Sequence, residues 1–154
     1  MRIALYSDIA RRHVVHGREF IAAGGYEATP EDIRRCRAAI LVRQNDVLLQ
    51  KLTRSEDFYS MSGCRDLIFH VQEHRFTLTQ IGTLLDALEL QFLGFEFSDP
   101  SPAEDYQSSF PDDPMLTRLD NWHRFELEHP DTFTRMYQFW VRSRNTSANA
   151  AQQS

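Results

Sequence analysis

The chain opens with an apolar run, Arg2-Ile3-Ala4-Leu5-Tyr6-Ser7, in which apolar residues do not alternate with polar ones. That pattern predicts a short strand buried on both faces. Asp8 follows where a strand hands over to a helix. Ile9, His13, His16, Phe20 and Ala23 then recur at three- and four-residue steps, predicting a helix over 9–23. Gly24-Gly25 stops it where a left-handed cap is wanted. Thr29-Pro30-Glu31-Asp32 is a helix start, with a capping hydroxyl, a proline at the first helical position and two acids at the positive end of the dipole. Ile33, Cys36, Ile40 and Val47 mark the inner face, Arg34, Arg35, Arg37 and Arg43 the outer one. Residues 46–52 continue as helix or form a second short one.

Residues 53–61 read as a loop carrying Phe58 and Tyr59, and Ser62 caps a helix running through Leu67, Ile68 and Val71. Thr77-Leu78-Thr79-Gln80 is a capping box. It opens a helix with Leu78, Ile81, Leu84, Leu85 and Leu88 on one face. Residues 91–97 read as a strand in which Gly94 allows close approach of a neighbour. Residues 98–117 hold four of the six prolines and read as a long loop with one helical turn. A helix over 118–128 turns Leu119, Trp122 and Phe125 or Glu126 inward, and 136–142 form an aromatic strand. The small polar tail, 144–154, reads as disordered. The fold class is therefore α/β: a three-stranded mixed sheet (2–7, 91–97, 136–142), part of a larger sheet, with helices between its strands.

At 154 residues the chain suits one domain, and its 42% hydrophobic and 25% charged content is that of a globular protein. The net charge of −5 is split unevenly, residues 1–75 carrying +2 and residues 76–154 carrying −7. Neither half is a basic arm, so nucleic acid is not an expected partner. No apolar run reaches the ~18 residues of a membrane span. Cys36 and Cys64 make no disulfide framework, and the N-terminus has no signal-peptide pattern, so the expected setting is cytoplasmic and reducing. Of the 17 basic residues 16 are arginine, so nearly every basic position can bind carboxylate or phosphate as a fork.

The first strand with its arginine-rich helix resembles the fifth strand and following helix of class I S-adenosylmethionine-dependent methyltransferases. Asp57-Phe58-Tyr59-Ser60, Cys64-Arg65-Asp66-Leu67, Phe69-His70-Val71-Gln72-Glu73-His74 and Met136-Tyr137-Gln138-Phe139-Trp140 resemble the C-terminal half of a bacterial subgroup often fused to tetratricopeptide repeats. The resemblance extends to about Arg142. It implies a partial Rossmann-like fold over 1–143, with inserted helices over 9–76 and the last αβ unit and hairpin strand over 77–143. It implies strands five, six and seven of the family, the seventh antiparallel between the other two, and a first strand with one bare edge. The family binds S-adenosylmethionine through its N-terminal half, with a Gly-rich loop and an acidic residue on the ribose. The six glycines here (17, 24, 25, 63, 82, 94) form no such loop. The resemblance thus implies a chain that binds no cofactor alone, its donor half absent through a late gene start, gene decay or a split with a partner chain.

Tyr59, Arg65, His70 and His74 form a polar, aromatic set that the resemblance places over the methyl-acceptor side, Arg65 for an anionic group and a histidine as base. The bland alternative is surface ion pairs from Arg65, Asp66 and Glu73 and a half-buried His70. His70-Val71-Gln72-Glu73-His74 also matches the inverted zinc-protease pattern His-x-x-Glu-His, with Glu126 or Glu128 as third ligand. Cys36, on the stripe of Ile33 and Ile40, reads as core. The aromatic groups Phe92, Phe95, Phe97 and Tyr137, Phe139, Trp140 read as core rather than stacking platforms, Trp122 as a helix anchor, and Arg34, Arg35 and Arg37 as a solvated face. Three functions stay open: a methyltransferase fragment inactive alone, a non-catalytic module that dimerises or caps a partner through the bare edge of the first strand and the inserted helices, and a zinc hydrolase.

Overall fold

The computed structural model describes residues 1–69 and 73–144. In chain order its elements are β1 (Arg2–Ser7), α1 (Arg12–Gly24), α2 (Pro30–Leu41), α3 (Val47–Leu52), α4 (Met61–Cys64), β2 (Arg75–Phe76), α5 (Leu78–Ala87), β3 (Leu90–Phe95), α6 (Ser101–Ser109), α7 (Leu119–Glu128) and β4 (Met136–Ser143). They fall into two compact units. Arg11–Glu73 form a helical unit, and Met1–Ala10 with the chain from His74 onward form a sheet unit. The helical unit lies inside the segment 9–76 expected to hold the inserted helices. Of the expected tail, 145–154 lie outside the described residues. No helix among the described residues is long and apolar enough to cross a membrane.

In the helical unit, α1 ends where the glycine pair predicts. Gly25 takes φ +64° and donates its N–H to Ala22 O at 3.3 Å, a conformation that costs a residue without Cβ little. Thr29 caps α2 by accepting the Asp32 N–H at 3.2 Å. Residues 46–52 are a separate helix, because Asp46 starts a new one by accepting the Leu49 N–H at 3.0 Å. That resets the helical phase. Leu49 and Leu52 turn inward, while Val47, expected on the inner face, is 77% exposed. His16 Nε2 lies 2.8 Å from the same Asp46 carboxylate, and this bond, with the capping N–H, holds Asp46 below the usual carboxylate range. Ser60, not Ser62, caps α4, and a π-helical turn over Arg65–Phe69 follows. The predicted end of that helix at Val71 lies outside the described residues.

The core of this unit joins Val14, Ile33, Cys36, Ile40, Leu49, Leu52, Phe58 and Ile68. Gly17 sets how closely α1 approaches it: a Cβ there would stand 2.6 Å from Leu52 Cδ1 and 3.3 Å from Ile68 Cγ2. Burial pushes the Cys36 thiol up to about 12 and raises Cys64 too, so both are packing groups rather than nucleophiles. Arg34 and Arg35 are exposed as expected. Arg37 instead lies over the Phe58 ring, 5.9 Å from its centroid.

The first and last residues of the unit meet. Arg11 Nε and Nη2 donate to the two Glu73 oxygens at 3.0 and 2.8 Å, with the side chains 7% and 2% exposed. Arg18 Nη2 stands 3.5 Å from the same carboxylate and donates to Leu67 O at 3.4 Å. A buried fork of this kind is costly to break from one side, because the surviving charge stays desolvated. Glu73→Ala is expected to lower stability in urea unfolding by about 3–5 kcal/mol. The double variant Arg11→Met/Glu73→Leu, which removes both charges, is expected to recover most of that loss. Equal losses in the two proteins would show that the pair is not desolvated.

In the sheet unit the strand order is β2-β1-β4-β3. β1 pairs parallel with β2, and β4 pairs antiparallel with both β1 and β3. β1 and β3 therefore run the same way with β4 reversed between them. The sheet has four strands rather than the three predicted. The extra one, β2, is two residues long, too short to show a period. It pairs with β1 at Tyr6 and Ser7, and among the described residues no strand pairs with that edge of β1 over Arg2–Leu5.

The Thr77–Gln80 capping box closes reciprocally, at 3.2 and 2.8 Å, and starts α5. Leu78, Ile81 and Leu85 are buried, whereas Leu84 and Leu88, expected on that face, are exposed. The predicted proline-rich loop contains a nine-residue helix, α6. Asp99 accepts from the Ser101 N–H at 3.0 Å, and Pro102 sits in the first turn where its missing N–H costs nothing. The Tyr106 ring of α6 stacks on Trp122 of α7, centroids 3.7 Å apart. Around them pack Phe92, Phe125, Phe133, Tyr137 and Phe139. Trp140, expected in this core, is 46% exposed, because β4 sends Tyr137, Phe139 and Val141 to one face and Trp140 to the other.

Candidate active site at the carboxyl end of the first strand

In an open α/β sheet, ligands bind beyond the carboxyl ends of the parallel strands. Here that place is the end of β1 and β2. Ser7 is fully buried, donates its N–H to Arg135 O at 3.2 Å, and accepts the Ala10 N–H on its hydroxyl at 3.0 Å. The first bond ties β1 to the approach to β4 and the second shapes the turn that leaves β1. Ser7 Oγ donates in turn to Glu126 Oε1 at 2.5 Å, and Tyr137 Oη donates to Glu126 Oε2 at 2.7 Å. Glu126, on the buried face of α7, thus accepts from two strands at once. Burial, and then the Glu126 charge beside it, raise the Tyr137 hydroxyl far above its usual value, so it remains a donor.

One residue further, β1 presents its functional groups to solvent. The Asp8 N–H donates to Phe76 O at 3.0 Å, fixing the Asp8 backbone against β2. The Asp8 side chain is 44% exposed, and Arg75 Nε donates to its Oδ1 at 3.3 Å. The result is a solvent-reachable carboxylate and guanidinium on a backbone held by buried bonds. Such a pair can accept a proton or a hydrogen bond from a ligand at Asp8 and hold an anionic group at Arg75.

Of the residues singled out in the sequence, His74 belongs to the sheet unit and Tyr59 and Arg65 to the helical unit. His74 is exposed and leads directly into Arg75. Tyr59 is 53% exposed, edge-on to Phe58 in the helical unit. Arg65 belongs to the π-helical turn of that unit, its buried Nε without a hydrogen-bond partner among the described residues. His70 lies outside the described residues. Within the zinc-protease pattern, the Glu73 carboxylate is held by Arg11 and Arg18, so a metal or water would have to displace two guanidiniums. Glu126, the suggested third ligand, is committed to Ser7 and Tyr137, and Glu128 is exposed. Among the described residues no group of three metal-ligating side chains occurs.

Sequence reasoning assigned no chemistry to Ser7, Asp8 and Tyr137. One signal was present: a glutamate at an inward position of α7. A carboxylate on an apolar face must have donors. No protein-family model matches the chain, and no curated protein matches it.

Ser7 and Tyr137 share one carboxylate, so removing them is expected to be non-additive. Tyr137→Phe is expected to cost about 1.5–3 kcal/mol, the range for a hydrogen bond to a charged group. Ser7→Ala/Tyr137→Phe is expected to depart from the sum of the single losses by more than about 0.5 kcal/mol in urea unfolding. Strict additivity would mean that Glu126 does not couple the two strands.

Proposed function

We propose that this chain is the C-terminal part of a class I S-adenosylmethionine-dependent methyltransferase-like protein, without the donor-binding half and inactive by itself. In this reading β1, β3 and β4 are the fifth, sixth and seventh strands of that fold. The observation that carries it is the strand order: a reversed β4 between two strands of common direction, β1 and β3, with the helix α5 leading into β3. That order is not sequential, and it is the arrangement the resemblance implied.

The residues present do not fit the cofactor. The turn leaving β1, Asp8 to Arg11, contains no glycine, and the glycine pair 24–25 closes a helix instead of opening one. The cofactor, in a complete protein, supplies an electrophilic methyl group. This chain contributes the acceptor side. Asp8 is placed to take a proton from an acceptor and Arg75 to hold an anionic part of it, with His74 beside Arg75 in the same unit. Titration of the chain with S-adenosylmethionine by calorimetry is expected to give no specific heat of binding. Saturable micromolar binding would overturn the reading.

A second reading, a non-catalytic module that pairs through β1, rests on the state of that strand's edge. The Asp8 N–H points to β2, so by alternation the N–H and C=O groups of Arg2 and Ala4 point the same way, beyond the reach of the two-residue β2. Peptide groups of an edge that pair with no strand among the described residues favour strand addition. This reading expects a dimer by size-exclusion chromatography with light scattering. A monomer across the concentration range rejects self-pairing.

A further inference from the structure

The face of the sheet turned away from the aromatic core has an exposed tryptophan at its centre. Strand alternation sends Ile3, Phe139 and Phe92 into that core and the residues between them to the other side. There the register sets Trp140 of β4 between Arg2 of β1 and Gly94 of β3, and Arg142 beside Gln91. Glu96 donates its N–H to Gln138 O at 2.7 Å, which sets those two residues side by side one step along. Trp140, 46% exposed, thus has Arg2, Gly94, Gln138 and Arg142 as its neighbours on this face, and no apolar side chain among them.

Hydrogen bonds fix these groups to one another. Trp140 Nε1 donates to Glu96 Oε2 at 3.0 Å, and Arg2 Nη2 donates to Glu96 Oε1 at 2.9 Å. Arg2 also donates to the Gln138 carboxamide oxygen, and Arg142 Nε donates to Gln91 Oε1 at 2.8 Å. With its N–H engaged, the indole has its ring to offer, an apolar plate with a negative quadrupole face. Both carboxamides take an arginine on their oxygen, so their NH2 donors are the part left for a ligand, and each Glu96 oxygen can accept a second bond. On the β3 side a Cβ at Gly94 would meet nothing within 4 Å, so there is room beside the ring.

A flat plate framed by planar hydrogen-bonding groups matches a pyranose, which has C–H groups on its faces and hydroxyls, each a donor and an acceptor, around its rim. The charge agrees with a neutral ligand. Glu96 neutralises Arg2, and the single remaining cation, Arg142, is too little to hold a phosphate chain. The centre of a protein interface is depleted of charge, whereas Arg2, Glu96 and Arg142 stand close around this ring. We propose that this face binds a neutral, gluco-configured sugar, with one pyranose ring stacked on Trp140 and its hydroxyls bonded to Glu96, Gln138 and Gln91. The gluco configuration fits because its equatorial hydroxyls leave both ring faces flat. The proposal does not depend on the methyltransferase reading.

The test is a titration of the full chain, labelled with ¹⁵N, with cellotetraose. The indole N–H of Trp140 and the amides of Gly94 and Gln138 are expected to shift saturably, and the indole N–H of the buried Trp122 to stay in place. Glucitol, which carries hydroxyls on an open chain without a ring face, is expected to give no saturable shift. Trp140→Ala is expected to abolish binding. Gln138→Met, which keeps the side-chain length and removes the NH2 group, is expected to weaken binding about two- to tenfold, and serves where the alanine variant does not fold. No saturable shift with cellotetraose, an equal response to glucitol, tighter binding of a single-stranded oligonucleotide, or binding unchanged by both substitutions would each overturn the proposal.

Discussion

A carboxylate sealed in an aromatic core must be given donors, and the donors at Glu126 come from two different strands. Ser7 closes β1 and Tyr137 begins β4, and both hydroxyls converge on one side chain of α7. The contact sets which residue of β1 stands against the start of β4, and from that the place where Asp8 leaves the sheet. A hydrocarbon in the same position would fill space without distinguishing one register from the next, because apolar contact has no direction. The hydrogen bonds do have direction, and a one-residue slip of β1 would turn its side chains to the opposite face.

A second charged contact does a comparable task at the base of the helical unit. Arg11 and Glu73 stand at the ends of a long excursion of the chain, and their fork brings those ends together. The excursion has a core of its own, built on Ile33, Ile40, Leu49 and Phe58. A segment whose ends are close and whose apolar residues satisfy each other can be carried by a strand-to-helix connection without altering the sheet. The same contact changes the meaning of the His-x-x-Glu-His pattern, since its glutamate is engaged in holding the unit closed.

The helices with side-chain caps were legible from local rules. Thr29, Asp46 and the Thr77–Gln80 box each bond within three residues of themselves, so the physics that starts those helices is contained in the sequence around them. Gly25 ends α1 for an equally local reason. α6 was hidden because proline density suggested a loop, while its stability comes from Tyr106 lying on Trp122, a residue in a different helix. Val47 and Trp140 were misplaced for related reasons: a fresh cap shifted the phase of one, and strand alternation placed the other on the far face.

The sequence by itself determined the α/β class, the positions of nearly all the elements and most of the apolar core. Each of these follows from periodicity and capping, which act over a few residues. The tertiary structure alone decided the existence of β2, the docking of α6 on α7, and the meeting of Ser7, Glu126 and Tyr137. Those contacts join residues far apart in the chain, and their energies depend on burial and on hydrogen-bond direction, neither of which has a period to read.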